Sequence, residues 1–301
     1  MSFFRPLVFY PYLLIKKASP ALAFRMKKVA SSKHPFFRHL KKNWIGEISD
    51  PYQSGLPPHI MKQNDEWVSR EVMGWTDAAF SHSLHSSRVR WVKSLPKADT
   101  ILDLGGAAKG FELGAMILMG YPYEFKDLII VDLPLGERHA IYREGYKLID
   151  KPLSHRSGKV SYCYASLHSL ENIPDSSIDL VNSGQSIEHI REDECERMLS
   201  ECMRVLKPGG ILCVDTPNGR ATRVQQASFI DPDHKVEYTH AQLSKKLINA
   251  GFKIRESKGL NWMPQSIRQG IFDSSEVTRN FGVYDDIENC YLLAYRCEKP
   301  L

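Results

Sequence analysis

An acidic residue stands directly before a small-residue turn in the chain. Asp103 ends a short apolar run with Leu104 and is followed by Gly105 and Gly106. Because glycines let a ligand approach the backbone closely, this turn is a candidate binding site. A carboxylate at its start suits a cation or a ligand amine better than a phosphate. The G-x-G-x-x-G spacing of dinucleotide-binding turns is absent, since the third position from Gly105 is Ala107. A tight turn without a ligand is the alternative.

A second acidic residue ends the next apolar run. Asp132 follows the run at 128–131. A carboxylate at such a strand end can accept hydrogen bonds from both hydroxyls of a ribose. Capping of the following helix is the alternative, because Asp is a strong N-cap residue. The position of Asp132 after the Asp103 turn favours ribose binding.

Alternating elements must position these two carboxylates. From residue 100 onward, short apolar runs alternate with helical stretches, which predicts a parallel sheet with helices on both faces. The runs are 101–104, 128–131, 160–164, 178–181, 211–214, 252–254 and 291–295, and the helical stretches are 111–119, 192–206 and 241–250. The stretch at 207–210, Lys-Pro-Gly-Gly, predicts a helix stop followed by a turn. Such sheets bind ligands at the carboxyl ends of their strands, so residues after the first four runs should converge.

Composition is that of an ordinary globular protein. The 301 residues are 43% hydrophobic and 25% charged, which is enough to form a sizeable core without a metal or disulfide scaffold. No apolar stretch reaches the length of a membrane-spanning helix. The six cysteines show no metal-ligand spacing, so we interpret them as reduced thiols of a cytoplasmic protein.

The charge is unevenly distributed along the chain. Residues 1–46 hold ten Lys and Arg and no acidic residue, which leaves 30 basic and 35 acidic residues in the remainder. We therefore predict a basic, loosely structured arm at 1–59, a helical lid or extension at 60–97 and a catalytic domain at 98–301. The arm indicates an anionic partner, and its aromatic and basic residues favour a peripheral membrane contact through residues 1–46. Packing of the arm on its own domain and an organellar transit peptide are the alternatives.

Five short motifs follow one another in the predicted catalytic domain. They are ILDLG at 101–105, VD at 131–132, PDSSIDLV at 174–181, IEHI at 187–190 and RVLKPGG at 204–210. Their order and spacing resemble the class I S-adenosylmethionine-dependent methyltransferases, most of all the type 11-like branch that acts on small molecules, sugars, quinones and lipids. The resemblance implies an α/β fold: a Rossmann-like, seven-stranded, mostly parallel sheet with helices on both faces and an antiparallel last strand, plus an N-terminal helical extension.

The same resemblance implies S-adenosyl-L-methionine as cofactor. Asp103 and the Gly105 backbone would hold its methionine moiety, Asp132 the ribose hydroxyls, and the end of the third strand the adenine. The implied contact residues are Asp103, Gly105, Gly106, Asp132, Leu133, Ser166, Leu167, Ser183 and Gln185. The sequence departs from the family pattern in two places.

The first departure is that Ala107 and Lys109 stand where glycines are usual. The second is the absence of the common acidic residue after the third strand, where this chain has Ala165, Ser166 and Leu167. Ser166 is the candidate for contacting the adenine amine.

Methyl transfer needs little covalent help from the protein, because the sulfonium methyl is already activated. Alignment of the acceptor can supply on the order of 7–11 kcal/mol. A hydroxyl acceptor also needs a base, typically worth about 10²- to 10⁴-fold, and His189 and His234 are the candidates. A structural role is the alternative for each. No metal centre is predicted; a divalent cation on Glu188 and His189, as in some quinone-acting relatives, is the alternative, and Gln185 stands where those relatives tend to have another acid.

These observations predict an S-adenosylmethionine-dependent O-methyltransferase. Its acceptor would be a hydroxyl of a small molecule, a lipid or a saccharide. An RNA methyltransferase is an alternative that the basic arm permits, although the acidic body and the lack of an RNA-binding motif disfavour nucleic acid as partner. A catalytically degenerate cofactor-binding or scaffold protein is the other alternative. A nicotinamide oxidoreductase is disfavoured because the pyrophosphate-binding pattern is missing.

Overall fold

The apolar runs form the strands of one sheet. The structure, a computed structural model, describes residues 74–138, 147–227, 229–231 and 233–301. These residues belong to the compact unit Ser54–Leu301. The predicted arm at 1–59 and the first part of the predicted extension, 60–73, lie outside the described residues.

Nine strands make up the sheet in the described part of the chain. They are β1 (Thr100–Leu104), β2 (Asp127–Asp132), β3 (Leu153–His155), β4 (Gly158–Tyr164), β5 (Ile178–Gly184), β6 (Leu206–Pro217), β7 (Lys253–Trp262), β8 (Val283–Tyr284) and β9 (Cys290–Glu298). Their spatial order is β3-β4-β2-β1-β5-β6-β9-β7-β8. Strands β4, β2, β1, β5 and β6 are parallel neighbours. The predicted mostly parallel sheet is thus confirmed.

The predicted number of seven strands is wrong, and the difference lies at the two edges. Strand β3 pairs antiparallel with β4, and the two-residue β8 pairs antiparallel with β7. Strands this short leave no apolar run in the sequence, so periodicity cannot reveal them. The last strand, β9, runs antiparallel to both β6 and β7, as expected.

Seven helices accompany the sheet in the described residues. They are α1 (Gly74–Lys93), α2 (Ala115–Leu118), α3 (Glu192–Val205), α4 (Gly219–Gln225), α5 (His240–Asn249), α6 (Pro264–Gln269) and α7 (Ser274–Arg279). Two short 3₁₀ turns, Ile187–His189 and Ile287–Asn289, complete the set. None of the helices so described is both long and apolar enough to cross a membrane.

Two predicted boundaries differ from the structure. The helix predicted at 111–119 is only four residues long, because Gly110 and Gly114 adopt left-handed φ values of 73° and 84° and hold the preceding chain in turns. Helix α3 ends at Val205, as the Lys-Pro-Gly-Gly stretch at 207–210 predicts, but no separate turn follows it. Strand β6 begins at Leu206, and its pairing with β5 shifts register between Ile178 and Leu180.

Both faces of the sheet are covered by apolar side chains. Leu102 and Leu104 of β1 join one core cluster, whereas Ile101 joins the other, as the alternation of a strand requires. Helix α3 contributes Met198 to the first cluster, and α1 contributes Trp91 to the second. With both faces buried, the carboxyl edge of the parallel strands is left for polar groups. All six cysteines are free thiols.

Candidate functional site

Asp103 lies near the carboxyl end of β1, opposite Asn182 of β5. The Asn182 amide donates a 2.7 Å hydrogen bond to Asp103 Oδ1, while Oδ2 has no hydrogen-bond partner among the described residues. Burial raises the pKa of Asp103 to about 7, against the opposing effect of the Asn182 hydrogen bond. The site therefore holds a carboxyl group that titrates near neutrality.

The glycine turn is packed directly against this carboxyl group. Gly105 has a φ of 72° and donates its N–H to the Val131 carbonyl at 2.8 Å. A Cβ at Gly106 would overlap Asp103 Oδ2, and a Cβ at Gly105 would overlap the Ser186 hydroxyl. Both positions thus require glycine for steric reasons. Ser186, which sequence reasoning missed, donates to the Leu104 carbonyl at 3.0 Å and braces the turn.

Asp132 ends the neighbouring parallel strand β2 and is linked to the same turn. Its Oδ2 accepts from the Ala107 N–H at 3.2 Å, and its Oδ1 accepts from the Leu133 N–H at 2.8 Å. The buried Arg138 guanidinium lies 3.0 Å from Oδ1. Burial raises the pKa of Asp132, and Arg138 opposes that rise. The two predicted acidic residues therefore lie at adjacent strand ends, joined by the glycine turn, with Arg138 ion-paired to the second.

The other predicted cofactor contacts lie along the same edge of the sheet. Ser166 is half-buried beyond the end of β4, and Leu167 packs into a core cluster. Ser183 is opposite Leu104 in the β1–β5 pairing, and its buried hydroxyl has no hydrogen-bond partner in the described structure. Gln185 follows β5 with a left-handed φ of 56°, a conformation that is costly for a residue other than glycine.

A pocket of about 340 Å³ opens beside this edge. Its lining residues are Gln185, Glu188, His189, Pro217, Ile230, Asp231 and His234. The rings of His189 and His234 meet edge to face with their centroids 4.9 Å apart. The structure thus brings together the two histidines that the sequence singles out, one from the turn after β5 and one from the loop before α5.

Each of these histidines is oriented by a carboxylate that sequence reasoning missed. His189 Nδ1 lies 3.2 Å from Asp233 Oδ2, and His234 Nδ1 lies 2.8 Å from Glu237 Oε1. Burial and the neighbouring His234 ring lower the pKa of His189, whereas Asp233 opposes that change. Glu237 stands three residues after His234, a spacing that sequence reasoning could have used, whereas Asp233 is 44 residues from His189 and left no local signal for that pairing.

Glu188 completes the cluster from the floor of the pocket. It is 1% exposed; its Oε2 accepts from the Thr216 hydroxyl at 2.9 Å, and Oε1 has no hydrogen-bond partner among the described residues. Burial raises the pKa of Glu188 to about 8. One potential ligand atom from each of Glu188, His189 and His234 lies within 4.8 Å of the other two. This donor set and the unpartnered Oε1 fit a divalent cation.

A further buried ion pair lies behind the pocket. Arg88 of α1 contacts Asp215 Oδ1 through Nε at 2.7 Å, and Gln185 donates its side-chain amide to the same oxygen at 3.0 Å. Gly184 leaves the space that this pair fills, because a Cβ there would lie 2.8 Å from Arg88 and 2.9 Å from Asp215. Sequence reasoning missed this pair, whose members are 127 residues apart. It ties α1 to the end of β6 beside the predicted catalytic groups.

Comparisons with known proteins agree with the type of fold. The Methyltransferase domain family model matches residues 144–214. A Mycolicibacterium smegmatis protein named "Probable S-adenosylmethionine-dependent methyltransferase" is 36% identical over 88 residues, which are 29% of this chain and 34% of that protein. A Mycobacterium tuberculosis protein of similar name is 39% identical over 80 residues, covering 27% of this chain and 28% of that protein. The chain thus matches about a third of the length of these curated relatives.

A solved structure extends the likeness of the fold to most of the chain. A chain from the complex between the Haloferax volcanii Trm112 methyltransferase activator and a methyltransferase aligns with a TM-score of 0.50 and 18% identity. The alignment covers 79% of this chain and 96% of that chain. The fold and the matched segment together define a methyltransferase-like α/β domain. The curated relatives that match its sequence are named as S-adenosylmethionine-dependent enzymes.

Proposed function

We propose that the chain is an S-adenosylmethionine-dependent methyltransferase that transfers the methyl group to a hydroxyl of a small molecule, a lipid or a saccharide. The observation that supports this most is the pair Asp103 and Asp132 at the ends of adjacent parallel strands, joined by a glycine turn. In the proposed complex Asp103 and the turn face the cationic methionine part of the cofactor. Asp132 accepts hydrogen bonds from the ribose hydroxyls once the Arg138 guanidinium has moved away from Oδ1.

The neighbouring pocket supports hydroxyl chemistry. A hydroxyl must lose its proton during methyl transfer, and the groups around this pocket that can accept or stabilise it are His189, His234 and Glu188. The mixture of these polar groups with Pro217 and Ile230 suits an acceptor with both polar and apolar parts. In-line alignment of that acceptor with the methyl–sulfur bond is the main contribution expected of the protein.

Calorimetry tests the cofactor assignment. We expect S-adenosylmethionine and its demethylated product to bind the full chain with one site each. Asp103→Asn should weaken binding of the sulfonium form by about tenfold or more at pH 8, because a hydrogen-bonded charge interaction is worth about 1.5–3 kcal/mol. Asp99→Asn is the matched control, since Asp99 is exposed just before the other end of β1. Absence of binding at millimolar cofactor would refute the proposal.

Loss of the His189 imidazole should separate chemistry from cofactor binding. We expect His189→Ala to lower turnover by about 10²- to 10⁴-fold with little change in cofactor affinity, because the ring faces the acceptor pocket instead of the glycine turn. His155→Ala, on edge strand β3, is the control and should keep full turnover. The measurement is steady-state kinetics beside cofactor calorimetry, and unchanged turnover in His189→Ala would remove the residue from the mechanism.

We also propose that residues 1–46 contact an anionic lipid surface. Ten basic residues without an acidic one, interspersed with aromatic side chains, support this role.

A further inference from the structure

The Asp132 carboxylate already has three hydrogen-bond donors in the structure. A carboxylate offers about four lone-pair positions to such donors. The Leu133 N–H and the Arg138 guanidinium lie 2.8 and 3.0 Å from Oδ1, and the Ala107 N–H lies 3.2 Å from Oδ2. Among the described residues, one acceptor position on Oδ2 therefore has no donor.

The three donors differ in how readily a ligand can replace them. The Ala107 N–H belongs to the glycine turn, and the Leu133 N–H belongs to the residue next to Asp132 itself. Because the backbone fixes both groups, neither can leave without disrupting the turn or the end of β2. The Arg138 guanidinium stands at the end of a long side chain, whose rotation moves it without moving the backbone. Arg138 is thus the donor that a ligand can displace.

Two contacts hold the guanidinium at the end of β2. Its Nη2 lies 3.0 Å from Asp132 Oδ1, and its Nε donates to the Leu133 carbonyl at 3.0 Å. Arg138 reaches back to this carbonyl from five residues along the chain, just after a turn in which the Glu137 N–H donates to the Pro134 carbonyl at 2.9 Å. Only 6% of the Arg138 side chain is exposed. The ion pair therefore covers one side of the carboxylate.

A ribose presents two adjacent hydroxyls, and a carboxylate can accept one of them on each oxygen. Oδ2 has a position for this, whereas the Leu133 N–H and Arg138 together fill Oδ1. We propose that Arg138 is an internal competitor of the cofactor, whose ribose hydroxyls have to replace the guanidinium on Asp132. This inference rests on the proposed function, which assigns Asp132 to the ribose. Arg138 thereby lowers the apparent affinity of the site, since only molecules with Oδ1 cleared accept both hydroxyls.

Removal of the guanidinium should tighten cofactor binding. Calorimetry of the full chain with S-adenosylhomocysteine at pH 8 compares the wild type with Arg138→Ala. We expect about tenfold tighter binding by the variant, which corresponds to an ion pair formed in about nine-tenths of the unliganded molecules. A pH of 8 favours ionised Asp132 in both proteins, because burial raises its pKa and the variant lacks the opposing charge of Arg138. Arg156→Ala is the matched control, since Arg156 is exposed in the turn before β4, at the amino edge of the parallel strands.

Binding kinetics show which step Arg138 affects. A competitor that has to leave first slows association, so Arg138→Ala should bind S-adenosylhomocysteine faster while its dissociation rate changes little. A residue that contacts the bound ligand gives the opposite result, because its loss speeds dissociation and weakens binding. Arg138→Lys should have an intermediate affinity, since an ammonium lacks the planar fork that contacts Asp132 and the Leu133 carbonyl together.

A measurement on the unmodified chain decides the matter if a variant does not fold. Phenylglyoxal modifies accessible guanidinium groups, and Arg138 is nearly buried. We expect S-adenosylhomocysteine to speed the modification of Arg138, because the displaced guanidinium becomes exposed. Modification of exposed Arg156 should stay constant. Mass spectrometry of the digested protein follows both residues.

The outcomes separate this competition from the proposed function. If the wild type binds S-adenosylhomocysteine but Arg138→Ala binds it equally or more weakly, the competition is overturned and the cofactor assignment stands. Unchanged reactivity of Arg138 on ligand binding would have the same meaning. Absence of S-adenosylhomocysteine binding by every chain would overturn both.

Discussion

At the scale of single residues, the site depends on carboxyl groups that the fold removes from water. Asp103 is almost fully buried, one of its oxygens has no hydrogen-bond partner among the residues that the structure describes, and burial raises its pKa to about 7. In the free protein this burial costs stability whenever the group is ionised. A cationic ligand near the turn would stabilise the ionised carboxylate and so offset part of that cost. Folding, protonation and ligand binding are therefore coupled at this side chain.

The pH dependence of unfolding should report this carboxyl group. Between its ordinary pKa of 3.8 and the folded value of about 7, native Asp103 holds a proton that the unfolded chain has lost. Stability should therefore fall as pH rises across this window, by about 1.4 kcal/mol per pH unit from this group. Asp103→Asn should remove that part of the slope.

Urea denaturation at a series of pH values measures the effect. The difference in unfolding free energy between the wild type and Asp103→Asn isolates Asp103 from every other titrating group. Asp99→Asn serves as the control because its side chain is exposed. Parallel pH profiles for the wild type and Asp103→Asn would contradict the buried, raised pKa. The same group should make affinity for the sulfonium cofactor rise with pH through about 7, since the ionised form binds a cation.

At the scale of elements, helix α1 is part of the same core as the sheet. Trp91 of α1 is buried in the core cluster that also contains Ile101 of β1. Arg88 of the same helix reaches Asp215 at the end of β6, where the pair is 11% and 1% exposed. The region predicted as a lid or extension therefore includes a helix that supports the carboxyl edge of the sheet, next to Gln185.

Removing the α1–β6 ion pair should destabilise the domain strongly. Arg88→Ala leaves the buried Asp215 carboxylate without its cation, which typically costs about 3–5 kcal/mol. Arg90→Ala is a matched control on the same helix, because exposed Arg90 lies over the Phe281 ring and such contacts contribute about 0.5–1 kcal/mol. Chemical denaturation measures both losses.

A double variant shows whether the cost comes from the unpaired charge. Arg88→Ala combined with Asp215→Asn should be more stable than Arg88→Ala alone, since the amide carries no charge to leave uncompensated. If the loss of stability in the double variant equals the sum of the losses in Arg88→Ala and Asp215→Asn, the two residues do not interact as the structure indicates.

At the scale of the whole molecule, charge is divided between the segment at 1–46 and the rest of the chain. The remainder carries more acidic than basic residues, so attraction to an anionic surface has to come from this segment.

Deletion of residues 1–46 should abolish most binding to anionic vesicles. Binding of the full chain to vesicles containing phosphatidylserine should weaken as salt rises, because ionic screening shortens the range of the attraction. Neutral phosphatidylcholine vesicles are the control. Sedimentation of full and truncated chains with both vesicle types gives the comparison, and equal binding by the two chains would exclude the proposed role of the segment.

The sequence alone determined the features that local burial imposes on neighbouring residues. The central parallel strands contain apolar runs, and Asp103 and Asp132 lie at the ends of two of them. The sequence therefore predicted that the two carboxylates would lie at one edge of a mostly parallel sheet. The five motifs predicted a methyltransferase-like domain, and the fold and the matched segment agree with that prediction. These predictions were possible because the spacing of apolar residues and the residue types at turns depend only on a few adjacent positions.

Only the tertiary structure decided the pairings between distant parts of the chain. Asp233 reaches His189 across 44 residues and Arg88 reaches Asp215 across 127, and no local pattern marks either pair. Edge strands β3 and β8 are held by their neighbours and leave no periodic signal of their own. Since such contacts form when loops close and side chains pack, the grouping of Glu188, His189 and His234 became visible only in three dimensions.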